Sequence, residues 1–89
     1  MKRVVLTDGS GRWFDASRAR LWRGLAPESC ELLYRTAEGQ WVLRYIPDWS
    51  ERPESYLLID AHDAAHWLLA NGYDPADSCP AEAAALEIK

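Results

Sequence analysis

Between Glu31 and Ile46 the chain carries two runs of strand-forming residues, Leu32-Leu-Tyr-Arg-Thr36 and Gln40-Trp-Val-Leu-Arg-Tyr-Ile46. They flank Ala37-Glu-Gly39, where glycine supplies the positive φ of a tight turn, so a β-hairpin is expected. Pairing Thr36 with Trp41, Tyr34 with Leu43 and Leu32 with Tyr45 makes one face almost wholly apolar and implies a two- or four-residue loop. A one-residue slip would place Glu31 and Arg35 among Trp41, Leu43 and Tyr45. The first register is therefore preferred, leaving Leu33, Arg35, Val42, Arg44 and Ile46 on a half-polar opposite face.

A second strong pattern runs from Ala61 to Asn71. At 100° per residue Ala61, Ala64, Ala65 and Leu68 form one stripe, with Trp67 and Leu69 at its margins. Asp60 suits the N-cap, Asp63 the third helical position, and Asn71-Gly72 the C-terminal stop. Upstream, Val4-Val-Leu6 and Arg12-Trp-Phe14 around the turn cluster Asp8-Gly-Ser-Gly11 read as a first hairpin. Asp15 as N-cap and Gly24 as C′ residue then predict a helix from Ala16 to Arg23, with Ala19 and Trp22 on one face.

Pro47 to Ser55, with two prolines, four charges and Trp49, reads as a loop, and Tyr56 to Ile59 as a short strand. Beyond Gly72, Tyr73 is expected to pack back on the core, and Ala81 to Glu87 to form a weak terminal helix. The expected order is ββαβββα: an α+β domain of two layers, with two helices covering one face of an antiparallel sheet. A chain of 89 residues is expected to form one domain over residues 1–89, with 76–89 a mobile C-terminal segment. So small a core leaves homodimerisation open.

With 48% hydrophobic and 27% charged residues, the composition is that of a globular protein. No apolar run approaches the roughly 20 residues of a membrane-spanning helix, and the start is too short for a signal-peptide core. A cytoplasmic protein is expected. Cys30 and Cys79 stand in no metal-type spacing and read as reduced thiols. Charge is uneven. Residues 1–25 hold Lys2, Arg3, Arg12, Arg18, Arg20 and Arg23 against Asp8 and Asp15, a net +4, while residues 26–89 hold four basic against twelve acidic residues, a net −8.

Candidate chemistry is sparse. His62-Asp-Ala-Ala-His66 places two histidines four apart on a helix, the spacing that shares a metal ion, and is similar to the zinc-protease motif with aspartate for glutamate. No third ligand stands at a recognisable spacing, and the packing stripe lies opposite, so solvent-facing histidines are expected and no cofactor. A metal-dependent hydrolase using His62 and His66 is the enzymatic alternative. Neither cysteine has a credible base, and Gly9 and Gly11 lack the Lys-Ser or Lys-Thr of a phosphate loop.

Five tryptophans and four tyrosines exceed what so small a core needs. Trp13, Trp41 and Trp22 read as core. Trp49 and Trp67 read as exposed anchors, with Arg44 and Arg52 beside them, because large aromatics flanked by arginine are enriched at interfaces. With the acidic residues Glu51 and Glu54 they form the expected partner-binding set. Arginines 18, 20 and 23, with Arg35 and Arg44, offer a nucleic-acid alternative, which the acidic total disfavours.

Gly11-Arg-Trp-Phe-Asp15, Glu31-Leu-Leu-Tyr-Arg-Thr36 with Gly39-Gln-Trp-Val-Leu43, and Asp63-Ala-Ala-His-Trp-Leu68 with Asn71-Gly72 resemble a pattern in a loose group of small uncharacterised bacterial proteins. That resemblance implies no activity. By general character the chain also resembles the small acidic proteins with which phages and mobile elements block host defences, anti-CRISPR proteins among them. This likeness implies a non-enzymatic inhibitor that binds a nuclease complex stoichiometrically.

Overall fold

The fold is α+β: antiparallel strands plus two α-helices. The computed structural model describes residues 1–25, 30–47 and 54–88. A four-stranded sheet has the order β3-β4-β5-β6, formed by Arg20–Arg23, Glu31–Arg35, Trp41–Tyr45 and Ser55–Ile59. A separate hairpin pairs β1, Arg3–Val5, with β2, Trp13–Asp15. Helix α1 is Ala61–Ala70 and α2 is Pro80–Ala85.

The expected helix from Ala16 to Arg23 is instead one 3₁₀ turn, Ala16–Arg18, followed by the edge strand β3. Eight residues nucleate a helix poorly by themselves. Asp15 does cap the turn, but Ala19 is already extended, with φ −93° and ψ 147°. The strand then gains hydrogen bonds from β4 and carries Trp22 into the core. Its neighbours Leu21 and Arg23 point to the other face and stay exposed.

The central hairpin adopts the slipped register. Arg35 opposes Trp41, Leu33 opposes Leu43 and Glu31 opposes Tyr45. The turn sets this parity. The amide of Gly39 donates to the Thr36 carbonyl at 2.9 Å, and the amide of Thr36 donates to Gln40 at 2.8 Å, which leaves a three-residue loop. Gly39 closes it with φ +82°, where a side chain would be strained.

Each sheet face has its own core cluster, so the slipped register buries Leu32, Leu33, Tyr34, Trp41 and Val42 together. On one face Trp22, Leu33 and Trp41 pack with Ala64, Ala65, Trp67 and Leu68 of α1 and with Cys79. On the other, Leu32, Tyr34 and Val42 pack with Leu6 and Phe14 of the N-terminal hairpin. The pairing preferred from sequence presupposes a single cover. With two, Leu32 and Tyr34 are buried on the hairpin side much as Leu33 is under the helix, and a third layer joins the expected two.

Helix α1 is set as its sequence indicates. The Asp60 carboxylate accepts from the amide of Asp63 at 2.8 Å, and Gly72 follows the C-cap Asn71 with φ +79°. Among the described residues no helix is long and apolar enough to cross a membrane. In the C-terminal segment, Cys79 is buried and Leu86 packs against the helix-side core.

Asp15 ties the N-terminal hairpin to the turn that follows. Its carboxylate accepts from the Ser17 hydroxyl at 2.6 Å, the Ser17 amide at 3.1 Å and the Lys2 amide at 3.0 Å. Those bonds, from Ser17 first and then Lys2, hold its carboxyl below the ordinary aspartate range. A carboxylate depressed on folding stabilises above its unfolded pKa, near 3.8, and loses that contribution as pH falls through the lower folded value. The difference in Tm between wild type and Asp15→Asn should therefore shrink as pH is lowered below this point. A gap constant with pH would contradict the bonding.

Candidate functional site

Of the described residues expected to bind a partner, Trp67 lies apart from Arg44 and Glu54. Trp67 is a correction: it is 8% exposed, packs in the helix-side core and stacks on Tyr73 with ring centroids 6.3 Å apart. Its position beside the apolar stripe, rather than outside it, turns the indole toward the sheet. The Tyr73 hydroxyl in turn donates to the Arg23 carbonyl at 2.6 Å, fastening the end of β3. Trp13 is the converse correction. Expected in the core, it is 49% exposed, because Phe14 beside it takes the inward side of β2. The Arg3 guanidinium lies 4.9 Å from the Trp13 ring centroid. Trp49, Glu51 and Arg52 lie outside the described residues.

Arg44 and Glu54 are described, and they bond to each other. Two guanidinium nitrogens of Arg44 reach Glu54 Oε2 at 3.2 and 2.9 Å, and a third donates to the Tyr34 hydroxyl at 3.2 Å. The Tyr56 hydroxyl donates to the same carboxylate oxygen at 3.1 Å. Desolvation raises the pKa of the Tyr56 hydroxyl, keeping it a donor. This network pins the start of β6 to β5.

At this end of the sheet the helix side leaves two large side chains exposed. Tyr45 and Leu57 are diagonal neighbours on β5 and β6, 46% and 44% exposed. Helix α1 begins two residues after Ile59 and turns back over Trp22, Leu33 and Trp41, so among the described residues it does not cover this end of the sheet. Leu58 is exposed on the opposite side of the same strand. Edge pairing is partly blocked here: the Thr7 amide donates to the Tyr56 carbonyl at 2.9 Å and the Thr7 hydroxyl accepts from the Tyr56 amide at 2.9 Å. Contact at this end must come mainly from side chains.

Arg35 and Arg44, the strand arginines of the nucleic-acid alternative, lie on opposite faces of the sheet. Arg35 joins Arg20, its direct cross-strand partner, on the helix side. Their guanidinium groups lie over Trp41 and Trp22, at 5.2 and 4.5 Å from the ring centroids. Arg18 lines a separate open depression of about 270 Å³ with Met1, Trp13 and Gln40.

Both histidines of α1 are exposed. Among the described residues the group able to hold an ion is Asp60, His62 and Asp63, with ligand atoms within 4.8 Å of one another, and His66 stands outside it. Asp60 already serves as the helix cap. Cys79 is buried, and desolvation, with Glu82 nearby, raises its thiol pKa, which disfavours the reactive thiolate. It is not bonded to Cys30. In comparisons with known proteins, no family model, curated protein or solved structure matches this chain.

Proposed function

We propose that the protein is a non-enzymatic binding module that engages a protein partner stoichiometrically, in the manner of the small phage and mobile-element inhibitors it resembles in general character. One observation carries this reading: Tyr45 and Leu57 form an exposed aromatic and aliphatic pair on paired strands of the sheet, next to the Arg44–Glu54 ion pair at 2.9 Å. Large side chains presented without loss of backbone entropy are what interface anchors require. The target we assign is a host defence nuclease complex, met in the cytoplasm.

The test is a plaque assay in bacteria whose CRISPR system targets the infecting phage. Wild-type protein should restore plaques, and Tyr45→Asp with Leu57→Asp should abolish restoration while leaving Tm within a few degrees, since both side chains are exposed. Full restoration by the folded double variant would remove this surface from the function. No restoration by the wild type against the systems tested would remove those nucleases as targets.

A further inference from the structure

Arg20 and Arg35 sit directly opposite each other on β3 and β4. The bonding of this strand pair, continued from the Gly24 amide to the Glu31 carbonyl at 3.1 Å, makes theirs a hydrogen-bonded pair, with Cα atoms about 5.5 Å apart. Like charges so placed destabilise a sheet. Among the described residues no carboxylate forms an ion pair with either of them, the ion pair there being that of Arg44 with Glu54. Glu82 of α2 shares the neighbourhood of Cys79 with Arg35 and yet makes no ion pair with it.

Each guanidinium is nevertheless held in place. The Trp22 and Trp41 rings beneath them are 5.5 Å apart and inclined by 33°, a continuous aromatic floor. A guanidinium over a ring can engage it with its face and keep its N–H edges for another group. We propose that Arg20 and Arg35 form a clamp for a phosphate group. A dianionic phosphate matches both charges and has enough oxygens to take two donors from each arginine, whereas a single carboxylate would leave one charge unbalanced. The clamp belongs to a different part of the sheet from Tyr45 and Leu57, so it stands or falls independently of the protein-binding proposal.

The experiment is titration of the full chain at low salt, following indole fluorescence and the tryptophan Nε1–H resonances, with chloride at matched ionic strength as control. Inorganic phosphate should perturb the Trp22 and Trp41 signals and leave Trp13 unmoved. Arg35→Lys, which keeps the charge and loses the planar fork, and Arg20→Gln should each weaken binding about ten-fold or more. Three further arms use a nucleoside monophosphate, a short single-stranded oligonucleotide and an Asp/Glu-rich peptide. Tighter binding of the nucleotide than of inorganic phosphate identifies a mononucleotide ligand. Preference for the oligonucleotide, whose internal phosphodiesters carry one negative charge each, would overturn the assignment to a dianionic phosphate. Equal response to phosphate and chloride, binding unaffected in both variants, or preference for the acidic peptide would overturn the proposal.

Discussion

Leu68→Ala is expected to destabilise the protein by about 2–5 kcal/mol, while Leu69→Ala, one residue away, should change stability by less than about 0.5 kcal/mol. Leu68 is 0% exposed and Leu69 is 46% exposed. The first loses its contacts with the helix-side cluster and leaves a cavity that a tightly packed core cannot close; the second gives up mostly hydrated surface. Against a total stability of about 5–15 kcal/mol for a domain of this class, the Leu68 effect is large enough to lower Tm by many degrees. Denaturant unfolding of both variants checks it. Similar losses at the two positions would mean that α1 packs on the sheet through a different face.

A comparable loss, about 3–5 kcal/mol, is expected for Phe14→Ala, through the other face of the sheet. Phe14 is 8% exposed, with its ring centroid 5.3 Å from Tyr34 and 6.5 Å from Tyr56. With Leu6 it links the short β1–β2 hairpin to the sheet, and so small a hairpin is not stable alone. Trp13→Ala, one residue earlier but exposed, should cost far less. Amide exchange gives the finer readout. In Phe14→Ala the amides of Leu6, Thr7 and Ala16, which donate to Arg12, Tyr56 and Lys2, should lose protection before those of α1 do. Retained protection at those three amides would show that the hairpin is held by something other than Phe14.

The two substitutions probe separate clusters, and their separation explains the slipped register of the central hairpin. Leu33 belongs to the Leu68 cluster, whereas Leu32 and Tyr34 belong to the Phe14 cluster. A sheet with both faces buried does not need one apolar face and one polar face along each strand. Arg35 tolerates its place opposite Trp41 because its guanidinium stacks on that ring and its far end stays partly solvated.

Several features follow from the sequence alone because their causes are local. Asp60, the stripe Ala61, Ala64, Ala65 and Leu68, and Gly72 define α1 through capping, 3.6-residue periodicity and a left-handed stop, none of which needs a distant partner. The α+β class, the existence of the central hairpin and the strand before α1 follow in the same way from runs of strand formers and turn residues. Tertiary structure decided the rest. Whether Ala16 to Arg23 coils or extends depends on the free edge of β4, which offers hydrogen bonds that a lone helical turn cannot match. The parity of the hairpin depends on Gly39 closing a three-residue loop and on a second cover supplied by Phe14. Which tryptophans are exposed depends on strand alternation and on where α1 ends, so Trp67 is buried and Trp13 is not. The juxtaposition of Arg20 with Arg35 is the furthest from the sequence: well separated along the chain, the two charges meet only because β3 is a strand.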